Sequence, residues 1–255
     1  MVSICIPVYN MHGRGVEFLK QALDSLQNQI NKNFEIVVSD DSEDNLIEDF
    51  IRNSSYNNLK YLKNISGKKG NSGNLNNAIR EARYEIIKPL FQDDWIVNDK
   101  MTDDIINSKG DWGVLGYKNS VGRIYNPRWN KRILFAGNTL GAPSGIWFKK
   151  TAETLFDNNL TWTMDIEFYY KLYTIYGKPK ILTNIYYIVR VWEGQISSII
   201  DKKATNKKEL LYIKNKYKIP FLLYQWYIVC FMIFCRQKLR DLETVLNFKN
   251  NCIIY

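Results

Sequence analysis

Only four cysteines and one histidine occur in 255 residues, and neither supports a metal or a disulfide scaffold. Cys5, Cys230, Cys235 and Cys252 form no CxxC pair and have no histidine nearby, which excludes a zinc site and a disulfide framework and points to a reducing cytoplasm. His12 stands alone, and a lone exposed histidine is usually incidental. No apolar stretch reaches the roughly 20 residues of a spanning helix; the longest, Phe221 to Cys235, falls short. The opening Val2-Ser3-Ile4-Cys5-Ile6-Pro7-Val8-Tyr9 has no basic leader or small-residue cleavage site, so it is expected to be a strand and not a signal peptide. Also missing are the G-x-G-x-x-G of a dinucleotide fold and the Gly-Lys-Ser/Thr of a Walker A loop. No zinc finger, helix-turn-helix or RNP signature is present, which argues against a nucleic-acid partner.

What is present is a globular composition, 45% hydrophobic and 24% charged, with a formal net charge of +9 and a pI near 9.2. The length suits one large α/β domain with an appendage. The charge favours an acidic partner, which could be nucleic acid, as for a basic nucleic-acid-binding protein, an anionic lipid or a phosphorylated substrate. Abundant Asn, Lys, Ile and Tyr reflect a codon bias that weakens any stronger argument from charge.

Strand and helix signals alternate through about residue 100. Val2–Val8, Phe34–Val38, Leu59–Leu62 and Ile86–Phe91 are apolar runs of strand length, while Glu17–Gln29 and Leu75–Arg83 carry apolar residues at helical spacing. This alternation predicts an α/β fold with a mostly parallel sheet and helices on both faces. Acidic groups follow two of the strands, at Asp40-Asp41-Ser42 and at Gln92-Asp93-Asp94. In such sheets ligands bind beyond the carboxyl ends of the strands, so these carboxylates are candidate site residues. Gly67 to Asn74 is a basic, glycine-rich loop that feeds a helix. Further on come a helix at Met101–Asn107, a strand at Trp112–Tyr117, a glycine-rich loop at Gly137–Gly145 and a strand at Ile146–Lys149. A helix over Asp165–Tyr176 and a strand over Ile181–Val191 complete this region. From Asp201 lysines dominate.

Ile6-Pro7-Val8-Tyr9-Asn10, Asp40-Asp41-Ser42, Asn71-x-Gly73-Asn74-x-x-Asn77-Ala78, Gln92-Asp93-Asp94, Gly141-Ala142-Pro143-Ser144 and Trp162-Thr163-Met164-Asp165 occur in that order. Together they resemble the family 2 glycosyltransferases, inverting enzymes of the GT-A fold. The resemblance spans residues 1 to 200 and implies a nucleotide-sugar-binding half at 1–100 and an acceptor-side half at 101–200. It further implies that Pro7 and Tyr9 hold base and ribose, that Asp40 or Asp41 accepts from the uracil, and that Asn74 and Asp93 complete the donor site. Asp94, with Asp93, would ligate Mg²⁺ or Mn²⁺. Asp165 would be the general base, and Trp162, Arg190 and Trp192 would line the acceptor side. A UDP-sugar donor and a saccharide or lipid-linked saccharide acceptor, in surface polysaccharide biosynthesis, are the expected substrates.

Two positions depart from the family pattern. Phe91 stands where relatives carry an acid, and Trp192 where many place a histidine. Both keep open a catalytically impaired nucleotide-sugar-binding relative. A sugar-phosphate nucleotidyltransferase is disfavoured because Met11-His12-Gly13-Arg14-Gly15 lacks that group's signature. Residues 201–255 are expected to form a basic and apolar helical extension. Its segment 202–240 would contact a membrane surface from the cytoplasmic side, or pack on the catalytic domain or on a second copy of the chain.

Overall fold

The structure, a computed structural model, describes residues 1–65 and 68–219. The apolar run Phe221–Cys235, its flanking Arg236, Lys238 and Arg240, and Cys230, Cys235 and Cys252 lie outside the described residues, as does the part of 202–240 beyond 219.

The first half alternates as its hydrophobic pattern demands: β1 (Val2–Val8), α1 (Gly15–Gln27), β2 (Phe34–Asp40), α2 (Leu46–Arg52), β3 (Leu59–Lys63), α3 (Asn71–Glu81) and β4 (Ile86–Pro89). There follow β5 (Trp95–Ile96), α4 (Met101–Asn107), β6 (Trp112–Asn119), β7 (Ile124–Tyr125), α5 (Ile133–Ala136), β8 (Ile146–Lys149), α6 (Met164–Tyr176), β9 (Lys180–Val189), α7 (Ile196–Ile199) and α8 (Lys202–Lys216). One sheet runs in the order β3-β2-β1-β4-β8-β6-β9-β5, with β7 on β6. β1 to β4 pair in parallel and so do β6 and β9, while β8 is antiparallel to both its neighbours. Two reversals across β8 leave β6 and β9 pointing the same way as β1, β2 and β4. The carboxyl ends of all five therefore open on one edge.

Burial on both faces explains why β1 and β2 are continuous apolar runs. Ile4, Ile6, Val38 and Leu90 pack with Leu19, Leu23 and Leu26 of α1. On the other face Cys5, Val37 and Ile87 pack with Leu75 and Ile79 of α3 and Phe168 and Leu172 of α6. The two-residue strands β5 and β7 are too short to carry a periodicity. β4 stops at Pro89, earlier than its apolar run, and the chain turns at Leu90 and Phe91 into the acidic pair. Among the described residues no helix is long and apolar enough to cross a membrane.

Candidate active site

The edge where the strands end gathers most of the residues singled out by sequence. Pro7 is buried in β1, and the Tyr9 backbone N–H donates to Gln92 Oε1 at 2.9 Å. Gln92 Nε2 in turn donates to Gly15 O, tying the acidic turn to the start of α1. Beyond it, Trp192 Nε1 donates to Asp93 Oδ2 at 3.0 Å, Arg190 Nε to Asp93 O at 3.0 Å, and the Arg190 backbone N–H to Asp94 Oδ1 at 3.1 Å. The guanidinium of Arg190 also lies over the rings of Phe18 and Trp95 and reaches Gln21. Burial raises the Asp93 carboxyl. Asp94 is raised well above the carboxylate range, first by burial and then by Asp93, against Ser144, Arg190 and Lys88. Burial, reinforced by Asp93, also raises the Tyr9 phenol.

Beneath this pair sits a lysine that the sequence reading passed over. Lys88 is fully buried in β4, and its ammonium donates to Pro89 O at 2.7 Å and to Ser144 O. Burial pushes it down to about 7, with Asp94 acting in the opposite direction. A lysine in an apolar strand was itself the available signal, because such a group is rarely buried without partners.

The two aspartates after β2 are differently employed. Asp40 is fully buried, accepting from Ser42 N, Tyr61 Oη and Lys63 Nζ. Asp41 is partly exposed at the same edge, accepting from Asn64 Nδ2 at 2.6 Å and from the Gly70 N–H at 2.7 Å. Burial raises its carboxyl. Asn74 has both side-chain ends engaged inside the protein, donating to Val8 O and accepting from Ser39 Oγ.

Asp165 occupies the first turn of α6 on the other side of the edge, where Asn138 Nδ2 donates to Oδ2 at 2.5 Å and the Ile166 N–H to Oδ1 at 2.7 Å. Burial pushes its carboxyl up to about 6, opposed chiefly by those two hydrogen bonds. Tyr169 Oη donates to Gly141 O at 2.7 Å, so the glycine-rich loop is pinned beside Asp165. Tyr117 stacks between Tyr125 and Tyr187, and both Asp94 and Asp165 act on its phenol electrostatically, so this stack connects the two carboxylate groups. Trp162 lies three residues before Asp165, with its backbone N–H held by Glu209 and Lys202 over its ring. Asn138, Tyr117, Tyr169 and Glu209 carried no motif of their own and are found only through contact.

The arrangement offers two adjacent hard carboxylates at one end and a single carboxylate of near-neutral affinity at the other. Among the described residues no three histidine, cysteine or acidic groups converge. The pair Asp93 and Asp94 still fits a hard divalent cation, since Mg²⁺ often binds through one or two carboxylates plus substrate phosphates. Their mutual repulsion is the kind a cation relieves.

Residues 3–105 match the family described as Glycosyl transferase family 2. A GalNAc(5)-diNAcBac-PP-undecaprenol beta-1,3-glucosyltransferase of Campylobacter jejuni is 31% identical over 99 residues, which are 38% of this chain and 31% of that protein. Among solved structures, Staphylococcus aureus TarS 1-349 in complex with UDP-GlcNAc has a TM-score of 0.63 at 23% identity, over 78% of this chain and 61% of that one. Mannosyltransferase PcManGT from Pyrobaculum calidifontis, in complex with GDP-Man and Mn2+, has a TM-score of 0.54 at 15% identity, over 74% of this chain and 56% of that one. At these identities the solved structures show the fold alone, which is GT-A. The chain spans less than two thirds of the length of each of these relatives.

Proposed function

We propose, from the match of residues 3–105 to glycosyl transferase family 2, that the chain transfers a sugar from a UDP-linked donor to a saccharide or lipid-linked saccharide, inverting the anomeric centre. The observation that carries this reading is the separation of roles at one sheet edge. Asp93 and Asp94 form a carboxyl pair at the end of β4 whose proton affinity is raised by burial and, at Asp94, by its neighbour, while Asp165, raised to about 6, opens α6 and, like Asp94, acts on the Tyr117 phenol. The UDP-GlcNAc of one structural relative and the lipid-diphosphate substrate named for the C. jejuni protein support the substrate classes.

In this mechanism Tyr9 and Asp41 bind the nucleoside, and Asp93 and Asp94 would hold Mg²⁺ or Mn²⁺. When bound, such a cation neutralises charge on the departing nucleoside diphosphate. Asp165 takes the proton of the acceptor hydroxyl as its oxygen attacks the anomeric carbon. A carboxyl near 6 is mostly ionised at neutral pH yet basic enough to accept that proton. Asn138 and the Ile166 N–H fix its orientation, and Arg190 with Trp192 fixes Asp93.

The same reading extends to the cell. Lys203, Lys207, Lys208 and Leu211 on the outer face of α8 are exposed, which suits attachment of residues 202–240 to an anionic membrane surface, with a surface polysaccharide as the product. A second reading, a chain that binds the nucleotide sugar without turnover, draws on Trp192, whose indole occupies one oxygen of Asp93.

Thermal denaturation with UDP, with and without Mn²⁺, tests the donor site. UDP at about 100 times its Kd stabilises by about 2.7 kcal/mol, and the rise should need Mn²⁺ and vanish in Asp94→Ala. No response to UDP would sink the proposal. A metal-dependent rise without release of UDP from UDP-GlcNAc or UDP-glucose would favour the second reading.

A further inference from the structure

Glu209 belongs to α8, a helix that carries none of the candidate donor or acceptor residues, yet the residue is 5% exposed and its carboxylate accepts at both oxygens. Oε1 accepts from the Thr161 N–H at 2.8 Å, and Oε2 from the Thr163 N–H and hydroxyl, both at 2.7 Å. The Trp162 N–H lies 3.2 and 3.1 Å from the two oxygens. These three residues lead directly into α6, whose N-cap Thr163 makes no capping hydrogen bond of its own. The first N–H groups of a helix lack intrahelical partners and attract negative charge. Here a carboxylate from a distant helix accepts from the N-cap N–H and from the two N–H groups before it, and brings negative charge to the positive end of α6 two residues before Asp165.

The contact is more than a local cap, because the segment it grips runs straight into the first turn that carries the candidate base. Asp165 is otherwise oriented by Asn138, an exposed residue of the 137–145 loop, and by the neighbouring Ile166 N–H. α8 is held independently at its far end, where Lys216 Nζ meets Glu167 at 2.7 Å and Asp157 at 2.5 Å and Tyr217 Oη donates to Glu167 at 2.6 Å. The helix can therefore stay docked when Glu209 is altered.

We propose that Glu209 is a positioning residue for the transfer reaction: by gripping Thr161, Trp162 and Thr163 it sets the backbone from which Asp165 reaches the acceptor hydroxyl. The proposal rests on Asp165 being the base. Misplacing a reacting group by about 1 Å can cost on the order of 10²-fold in rate.

Glu209→Gln in the full chain tests it, since glutamine keeps the volume but has one acceptor oxygen and turns N–H groups towards N–H groups. UDP release is followed from UDP-GlcNAc or UDP-glucose with a farnesyl-diphosphate-linked N-acetylgalactosamine acceptor, and backbone exchange at 161–163 by hydrogen–deuterium measurement. The expected result is faster exchange there and a kcat lower by roughly 10- to 100-fold, with the Kd for UDP and the donor KM unchanged. In an Asp165→Asn background Glu209→Gln should cost nothing further. Faster exchange with an unchanged kcat would reduce Glu209 to a cap and overturn the proposal. Should Glu209→Gln not fold, Thr163→Val removes only the hydroxyl donor; a several-fold lower kcat at constant KM supports the proposal and an unchanged kcat overturns it. Wild-type turnover by Asp165→Asn would instead overturn the base reading, and the proposal with it.

Discussion

Asp165 is where residue-level physics bears most directly on turnover. Because its carboxyl is raised to about 6, kcat/KM should fall about tenfold per pH unit below that value while staying level above it, as a pH–rate profile would record. Asp165→Asn should lose on the order of 10²- to 10⁴-fold in kcat yet keep its affinity for UDP. Its stability follows from linkage. The folded carboxyl holds its proton more tightly than the unfolded one, so stability is lost as pH rises from about 4 to about 6. The uncharged variant should therefore melt no lower than wild type at pH 7. Gly141 makes a second test at this scale. Its φ is +102° and an added Cβ would lie 2.5 Å from the Tyr117 ring, so Gly141→Ala should cost about 1–3 kcal/mol in urea unfolding and lower turnover by displacing the tyrosine stack.

α3 shows how an element can be misjudged from local propensity. Asn71-Ser72-Gly73-Asn74 reads as a loop because Asn, Ser and Gly are poor helix formers, yet α3 begins at Asn71. Tertiary partners override the propensity. Ser72 Oγ donates to Leu160 O, and Asn74 links Val8 O to Ser39 Oγ. A Cβ on Gly73 would lie 2.0 Å from Lys68 O, so the helix starts where only glycine lets the preceding chain approach. Asn74→Ala should thus destabilise the ligand-free protein by about 1–3 kcal/mol, with UDP affinity nearly unchanged in the folded fraction. A large loss of UDP affinity at wild-type stability would make Asn74 a direct ligand contact.

For the whole molecule, the decisive feature is that α8 and Tyr217 are tied to Asp157, to the 161–163 segment and to Glu167 of α6. Glu167 is fully buried on α6, and Lys216 is its nearest cation, with Lys171 at 3.8 Å. Lys216→Met should cost roughly 2–3 kcal/mol, less than the loss of a partner from a fully buried pair because Lys216 keeps 29% of its side chain exposed. Denaturant midpoints would measure it, and the difference should survive high salt since Glu167 is shielded from water.

Much of this was determined by sequence alone. The alternation of apolar runs dictated the α/β sheet, Asp93 and Asp94 stood out because carboxylates follow a strand end, and Asp165 through the resemblance of Trp162-Thr163-Met164-Asp165 to a family motif. These are local signals, set by residues within a few positions of each other. Only the tertiary structure decided that Asp40 is enclosed while Asp41 remains partly open, that Trp192 donates to Asp93, that Lys88 lies beneath Asp94, and that Glu209 reaches the turn before Asp165. Most of these join residues far apart in the chain, and a carboxylate's partner and burial are properties of the space around it, which no periodicity encodes.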